Sequence, residues 1–327
     1  AAGDRRRPAS TRRTAFVSRS AGLAHIIRQD DGTSTGVWGV FTIKSAFQPV
    51  FAFGEGKLVI TAFEGLVRPF RDGAALSPYA FFRGIPPVDR FHVETLMRTL
   101  HLLNAAACLD PKVSIFVNFD PSLFTDAEVV DVAIRDMRLV LHEAGMHPGR
   151  IVCEVTEQKS ASTGALRHFV DALRASGFKI AVDDYGADDS DIQRIDELKP
   201  DIVKFDAQWI TRLMDSGAGF GLLKVMVSRF ADSGIKTVFE GIEEMWQLEL
   251  AEETGASMVQ GFVLARPELA PTSFSIFSGK GEPAGQSVSW SGAGAPRAMP
   301  VAADDPPESR HQPALRRRTF GRRQSGG

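Results

Sequence analysis

The stretch IAVDDYG, residues 180–186, carries an apolar strand straight into two adjacent aspartates. Neighbouring carboxylates repel, and burying them unpaired costs several kcal/mol or shifts a pKa until one is neutral. A positive charge is therefore expected beside Asp183 and Asp184. The amphipathic run GALRHFVDALRASG (164–177) precedes this strand and stops at a glycine, as a capped helix does, and a second apolar strand, DIVKFD (201–206), follows it.

The same alternation extends in both directions. Strand-like runs are FQPVFAF (47–53), AFEGLVR (62–68), VSIFVNF (113–119), RIVCEVTE (150–157), FKIAVDD (178–184), DIVKFD, KTVFEG (236–241) and MVQGF (258–262). Most are nearly continuous in apolar character, which suits parallel strands covered on both faces. Helical periodicity marks residues 126–145, 164–177, 219–234 and 243–255, each ending in glycine. Eight strands with helices between most of them predict an α/β fold, a (β/α)8 TIM-like barrel with its site at the strand ends. The alternative, a doubly wound open sheet, lacks a glycine-rich phosphate loop after the first strand.

The chain has 327 residues, 43% hydrophobic and 24% charged, enough to bury a full core. Its formal net charge of -2 gives no global attraction to polyanions, so a site for one must be local. Residues 1–40 open on the basic GDRRRPASTRR and are expected to be a mobile arm; residues 41–278 form the barrel domain. Residues 279–327 are rich in Gly, Pro and Ser, end in an arginine cluster and are expected to be disordered. The partner of those arginines is undefined: a nucleic acid, a lipid head group and an acidic protein all fit, as does plain solvent. Cys108 and Cys153 have no metal-ligand spacing, which favours a reducing, cytoplasmic setting. No apolar run approaches the ~18 residues of a membrane span. STRRTAFV (10–17) resembles a twin-arginine signal, but the polar residues after it argue against export.

Polar residues stand at the C-terminal ends of seven of these strands: Glu64, Asn118, Glu154, Asp183 with Asp184, Lys204, Glu240 and Gln260. In a barrel those ends converge on one rim. Carboxylates and a carboxamide, without histidine or cysteine, suit Mg2+ or Mn2+. Five carboxylates exceed what one such ion takes, so two ions are expected, with the Asp183 and Asp184 pair as the bridge. Two-metal sites hydrolyse phosphodiesters. Lys204 adds a cation for the attacking water, and Arg68 a planar fork for a phosphate oxygen.

With these motifs in order, the chain resembles the EAL domain family of bacterial cyclic di-GMP phosphodiesterases. EGLVR (64–68) matches the Glu-Ala-Leu-x-Arg signature with Gly65 for alanine, and FQPV, FVNFDPSLF, CEVTEQ, VDDYG, VKFDAQWI, EGIEE and VQGFVLARP follow in family order over about residues 40–270. The resemblance implies a barrel whose first strand can run antiparallel, and hydrolysis of one phosphodiester of cyclic di-GMP to linear pGpG. It implies Glu64, Asn118, Glu154 and Asp183 on one metal, and Asp183, Asp184 and Glu240 on the other. Lys204, Glu64, Asp183 and Glu240 would be catalytic, and Gln48, Leu66, Arg68, Asp184 and Gln260 would contact substrate. Glu157 would anchor the loop after the fifth strand, which in the family also supports a homodimer.

That loop departs from the family. DDYGADDSDI (183–192) has Asp188 for a glycine, and Asp189 and Asp191 for an aromatic and a serine. A non-catalytic receptor for cyclic di-GMP or a protein-interaction module is therefore the alternative function, and a scaffold for the basic tail a third. His92, His101 and His142 lie on helical stretches and receive no role. Phe81, Phe82 and Arg83 are equally placed to meet a guanine.

Overall fold

The structure is a computed structural model, and it describes residues 25–54, 56–124, 126–156, 163–187, 192–274 and 287–289. In chain order its strands and helices are β1 (Ile26–Arg28), β2 (Ser34–Trp38), β3 (Phe41–Gly54), β4 (Lys57–Arg71), β5 (Ala74–Ala75), α1 (Pro78–Arg83), α2 (Arg90–Cys108), β6 (Ser114–Phe119), α3 (Ala127–Ala144), β7 (Ile151–Thr156), α4 (Thr163–Ala175), β8 (Lys179–Tyr185), α5 (Ile192–Leu198), β9 (Ile202–Phe205), α6 (Ala207–Met214), α7 (Gly217–Asp232), β10 (Lys236–Phe239), α8 (Met245–Thr254), β11 (Met258–Val259), β12 (Glu268–Leu269) and β13 (Ser287–Ser289).

Eight of these strands close on themselves in the order β3, β4, β6, β7, β8, β9, β10, β11 and back to β3. All neighbours are parallel except at β3, which runs antiparallel to both β4 and β11. The expected barrel is thus present, with its first strand reversed. Its interior floor is one apolar residue per strand: Val50, Ala62, Phe116, Val152, Ala181, Ile202, Val238 and Met258, all buried. A larger apolar layer joins the outer strand faces to the helices. On α3 the Asp126 side chain accepts from the Val129 N–H at 3.0 Å, and Gly145 at φ +63° ends the helix.

β3 and β4 are 14 and 15 residues long, and their pairing from Phe41 with Arg71 to Gly54 with Lys57 carries the hairpin beyond the barrel. A third apolar cluster, Ile43, Phe81, Ile85, Val93, Leu96, Met97 and Leu100, packs α1 and α2 under that extension.

Part of the stretch expected as a mobile arm is sheet: β1 pairs β2, and β2 pairs β3. The cause is tertiary. Asn104 on α2 accepts from the Ser34 N–H at 2.6 Å and donates to the Ser34 carbonyl at 3.0 Å, so the segment is held by a side chain 70 positions away. Within the stretch expected as a disordered tail, Ser287–Ser289 pair with β4. Residues 1–24 and 290–327 lie outside the described residues. Among the described residues no helix is long and apolar enough to cross a membrane.

Candidate active site

Strand side chains alternate between faces with period two. Two residues beyond each floor position, toward the same barrel mouth, stand Gln48, Glu64, Asn118, Glu154, Asp183, Lys204, Glu240 and Gln260. On the antiparallel β3 the count runs backward, from Val50 to Gln48. One apolar layer is therefore capped by one polar layer, and the strand register alone places these side chains together.

Lys204, with 1% of its side chain exposed, is the hub. Its ammonium meets Glu154, Glu240 at 2.6 Å, Asp183 at 3.1 Å and Glu64 at 3.8 Å, and lies 5.9 Å over the Phe116 ring. It supplies a positive charge beside Asp183. Gln260 donates to Glu64 at 2.7 Å, and Gln48 donates to the Ala265 carbonyl at 3.2 Å while pairing across the hairpin with Glu64.

Successive strand residues face opposite ways, yet both aspartates serve this mouth. The β8 to β9 register shifts between Val182 and Tyr185, and Asp184 adopts φ +58°. Such an irregularity re-aims a side chain, and aspartate tolerates the left-handed region better than most residues. Asp183, Asp184 and Glu240 consequently bring three carboxylate oxygens within 4.8 Å of one another.

The electrostatics show a surplus of negative charge. Burial pulls the Lys204 ammonium down, but Asp183, Glu154, Glu240 and Glu64 outweigh it and hold it charged. Burial pushes Glu154 well up, with Glu64 and Asp183 adding to the rise against Lys204. Burial, then Asp183 and Glu64, push Glu240 up to about 8 against the pull of Lys204. Asp184 has an exposed side chain at the rim, yet the protein around it and the Asp183 charge push its carboxyl up to about 6. Among the described residues, Glu154 Oε2 and Gln260 Oε1 are buried without a hydrogen-bond partner. Orphaned oxygens among crowded carboxylates fit hard divalent cations as the missing partners.

Beside this layer opens a cavity of about 400 Å³, within the usual range of small-molecule sites. Leu66, Arg68, Asn118 and Phe82 line it, so the signature segment reaches it directly. Arg68 donates to the Val67 carbonyl at 2.9 Å, and burial lowers its pKa against the charge of Glu64. Of the three residues placed equally from sequence, Phe82 reaches the cavity, whereas Phe81 is fully buried under the hairpin.

Every proposed site residue within the described chain belongs to the polar layer, the rim or this cavity; Glu157, Asp188, Asp189 and Asp191 lie outside the described residues. Sequence reasoning missed the cavity wall supplied by α2. Glu94 and Arg98 form a buried ion pair at 3.2 Å there, with the guanidinium 4.3 Å over Phe119, and His101 lines the same space. Helical periodicity makes these residues look like ordinary positions, since nothing local marks which helix face meets a ligand cavity.

Residues 42–267 match the EAL domain family. Among curated proteins, the chain is 29% identical over 227 residues to the uncharacterized EAL-domain containing protein YkuI of Bacillus subtilis, covering 68% of this chain and 54% of that protein. It is 26% identical over 182 residues to the cyclic di-GMP phosphodiesterase RocR of Pseudomonas aeruginosa, covering 55% of this chain and 45% of that protein. The chain thus spans about half the length of these relatives. Among solved structures, the Klebsiella pneumoniae BlrP1 complex with calcium and cyclic di-GMP superposes with a TM-score of 0.62 at 26% identity, over 69% of this chain and 56% of that one. The YkuI complex with cyclic di-GMP and calcium gives 0.61 at 27% identity, over the same shares of the two chains.

Proposed function

The chain belongs to the EAL domain family, and from that membership we propose that it hydrolyses one phosphodiester bond of cyclic di-GMP to give linear pGpG, with two divalent cations, Mg2+ or Mn2+. The observation that carries this reading is the buried Lys204 ringed by four carboxylates, with Asp184 completing a three-carboxylate group at the rim. The complexes of YkuI and BlrP1 with cyclic di-GMP and calcium support it.

Glu64, Asn118, Glu154 and Asp183 would hold one cation, and Asp183, Asp184 and Glu240 the other. Bound cations supply a lowered water pKa and neutralise charge on the attacking and leaving oxygens. Lys204, kept charged by its neighbours, steadies the attacking water and the negative charge that develops as the P–O bond breaks. Water adds across that bond, leaving a phosphomonoester on one guanosine and a free hydroxyl on the other. Arg68 grips a phosphate oxygen, Leu66 gives the nucleotide an apolar wall, and Gln48 and Gln260 orient water or phosphate at the layer's edge. Glu157 anchors the loop after β8, which together with the adjacent helix joins two copies of the chain. The reaction takes place in the cytoplasm, and the basic tail serves an undefined partner.

The test is incubation of the purified chain with cyclic di-GMP under Mg2+, Mn2+ and Ca2+. Linear pGpG is expected with Mg2+ or Mn2+. Glu64→Ala is expected to cut turnover by more than about a hundredfold, because loss of outer-sphere partners alone costs about 10- to 100-fold. Binding without turnover in every cation would replace hydrolysis with the receptor reading, for which the departures at Asp188, Asp189 and Asp191 give the reason.

A further inference from the structure

The middle residue of the signature segment, Gly65, faces α2 across a gap with no spare room. A Cβ built on Gly65 would lie 3.0 Å from His101 Cγ, 3.1 Å from its Cβ and 3.3 Å from its Cδ2. An alanine side chain would therefore press on the imidazole, which would have to give by a few tenths of an ångström, and from its place beside Gly65 the ring lines the cavity that also holds Leu66 and Arg68.

A hydrogen-bond chain fixes what the ring presents. Asn104, clamped on both backbone groups of Ser34, donates to Ser45 Oγ at 3.0 Å, and Ser45 Oγ lies 2.8 Å from His101 Nδ1. Ser45 is buried, so its own proton needs an acceptor, and among the described residues Nδ1 is the one within reach. Nδ1 then carries no proton, and the neutral ring carries it on Nε2. Burial, reinforced by Arg68 and Arg98, the charged groups facing the ring, holds it neutral far below the ordinary histidine range, at about 3. Nε2–H has no partner among the described residues.

We propose that His101 is a substrate-binding residue: its Nε2–H donates to an acceptor atom of the guanylate half that Arg68 holds, and Gly65 exists in the signature segment to admit the ring. This rests on the cyclic di-GMP reading above. The cavity supports it, because Phe82, Met97 and Leu66 offer apolar area to a purine while Arg68 and His101 offer donors beside it. Being uncharged, the ring adds a directed donor without adding repulsion to Arg68.

The experiment is calorimetric titration of the full chain with cyclic di-GMP in Ca2+, for the parent, His101→Leu and His101→Gln. Thermal melting and Mn2+ affinity are recorded for each. Gln carries one amide acceptor for Ser45 and one amide donor for the cavity, so it can replace both ring nitrogens. His101→Leu is expected to weaken binding about five- to tenfold, the worth of one hydrogen bond. His101→Gln is expected to recover most of that loss, and Mn2+ affinity should stay at the parent value in both variants. Parent-like binding by folded His101→Leu overturns the proposal, as does a loss that Gln fails to restore while its melting and Mn2+ affinity match the parent. A parent chain that binds no cyclic di-GMP overturns the functional reading itself, which separates the two failures.

Discussion

At position 65, inside EGLVR, the absence of a side chain is matched by the His101 ring across the gap. Restoring a methyl group there forces a buried ring, tethered through Ser45, to move by a few tenths of an ångström. Gly65→Ala is expected to lose about 1–3 kcal/mol in urea unfolding, the usual penalty of overpacking. In combination with His101→Ala, which vacates the space, the penalty at 65 should vanish, leaving a coupling energy of about 1 kcal/mol or more. Strict additivity in that cycle would mean the contact is not what excludes the methyl. At the same scale, φ +58° at Asp184 matters as much as the carboxylate itself: a regular strand would turn one of the two aspartates away from the mouth.

Among elements, α2 does the most to join separate parts of the chain. Its Asn104 side chain satisfies both the N–H and the C=O of Ser34, adding a clamp to the β2–β3 ladder, and the same amide donates to Ser45. Asn104→Ala removes all three contacts. Leaving buried backbone groups unpaired costs about 1–3 kcal/mol each, so a stability loss of about 2–4 kcal/mol is expected. Amide exchange should accelerate across residues 26–38 while α7 and α8 keep their protection. Equal acceleration throughout would show that β1 and β2 do not open as a separate unit. The strand-rich hairpin behaves differently: β3 and β4 are paired along nearly their whole length and need no such clamp.

For the whole molecule, the barrel concentrates charge that no single element could tolerate. Four carboxylates share one buried ammonium, and Glu240 is pushed up to about 8 and Asp184 to about 6. A carboxyl with a raised pKa holds its proton below that value, whereas cation binding requires the anion. Binding must therefore release protons, and affinity must fall as pH drops from about 8 toward 6, by up to about tenfold per unit for each proton displaced. Mn2+ calorimetry at pH 6 and pH 8, repeated in buffers of different ionisation enthalpy, should report weaker binding at the lower pH and net proton release near pH 7. Affinity that ignores pH would contradict the crowding of carboxylates.

The polar layer was legible because barrel strands obey a period of two. Once KIAVDDY and its counterparts are recognised as strands, the residue two places beyond each floor position has to point into the same mouth, and the polar residues there announce themselves by type. Eight strands, their order, and the polar layer from Glu64 to Gln260 follow from short-range pattern. Three things did not. The strands at residues 26–28 and 34–38 depend on an asparagine about 70 positions away, the turning of Asp184 toward Asp183 depends on a register shift against β9, and the place of His101 depends on a glycine on another element. Local periodicity records which side of its own element a residue takes; only the packed chain decides what stands opposite, because hydrogen bonds and van der Waals contacts act over a few ångströms of space whatever the separation in sequence.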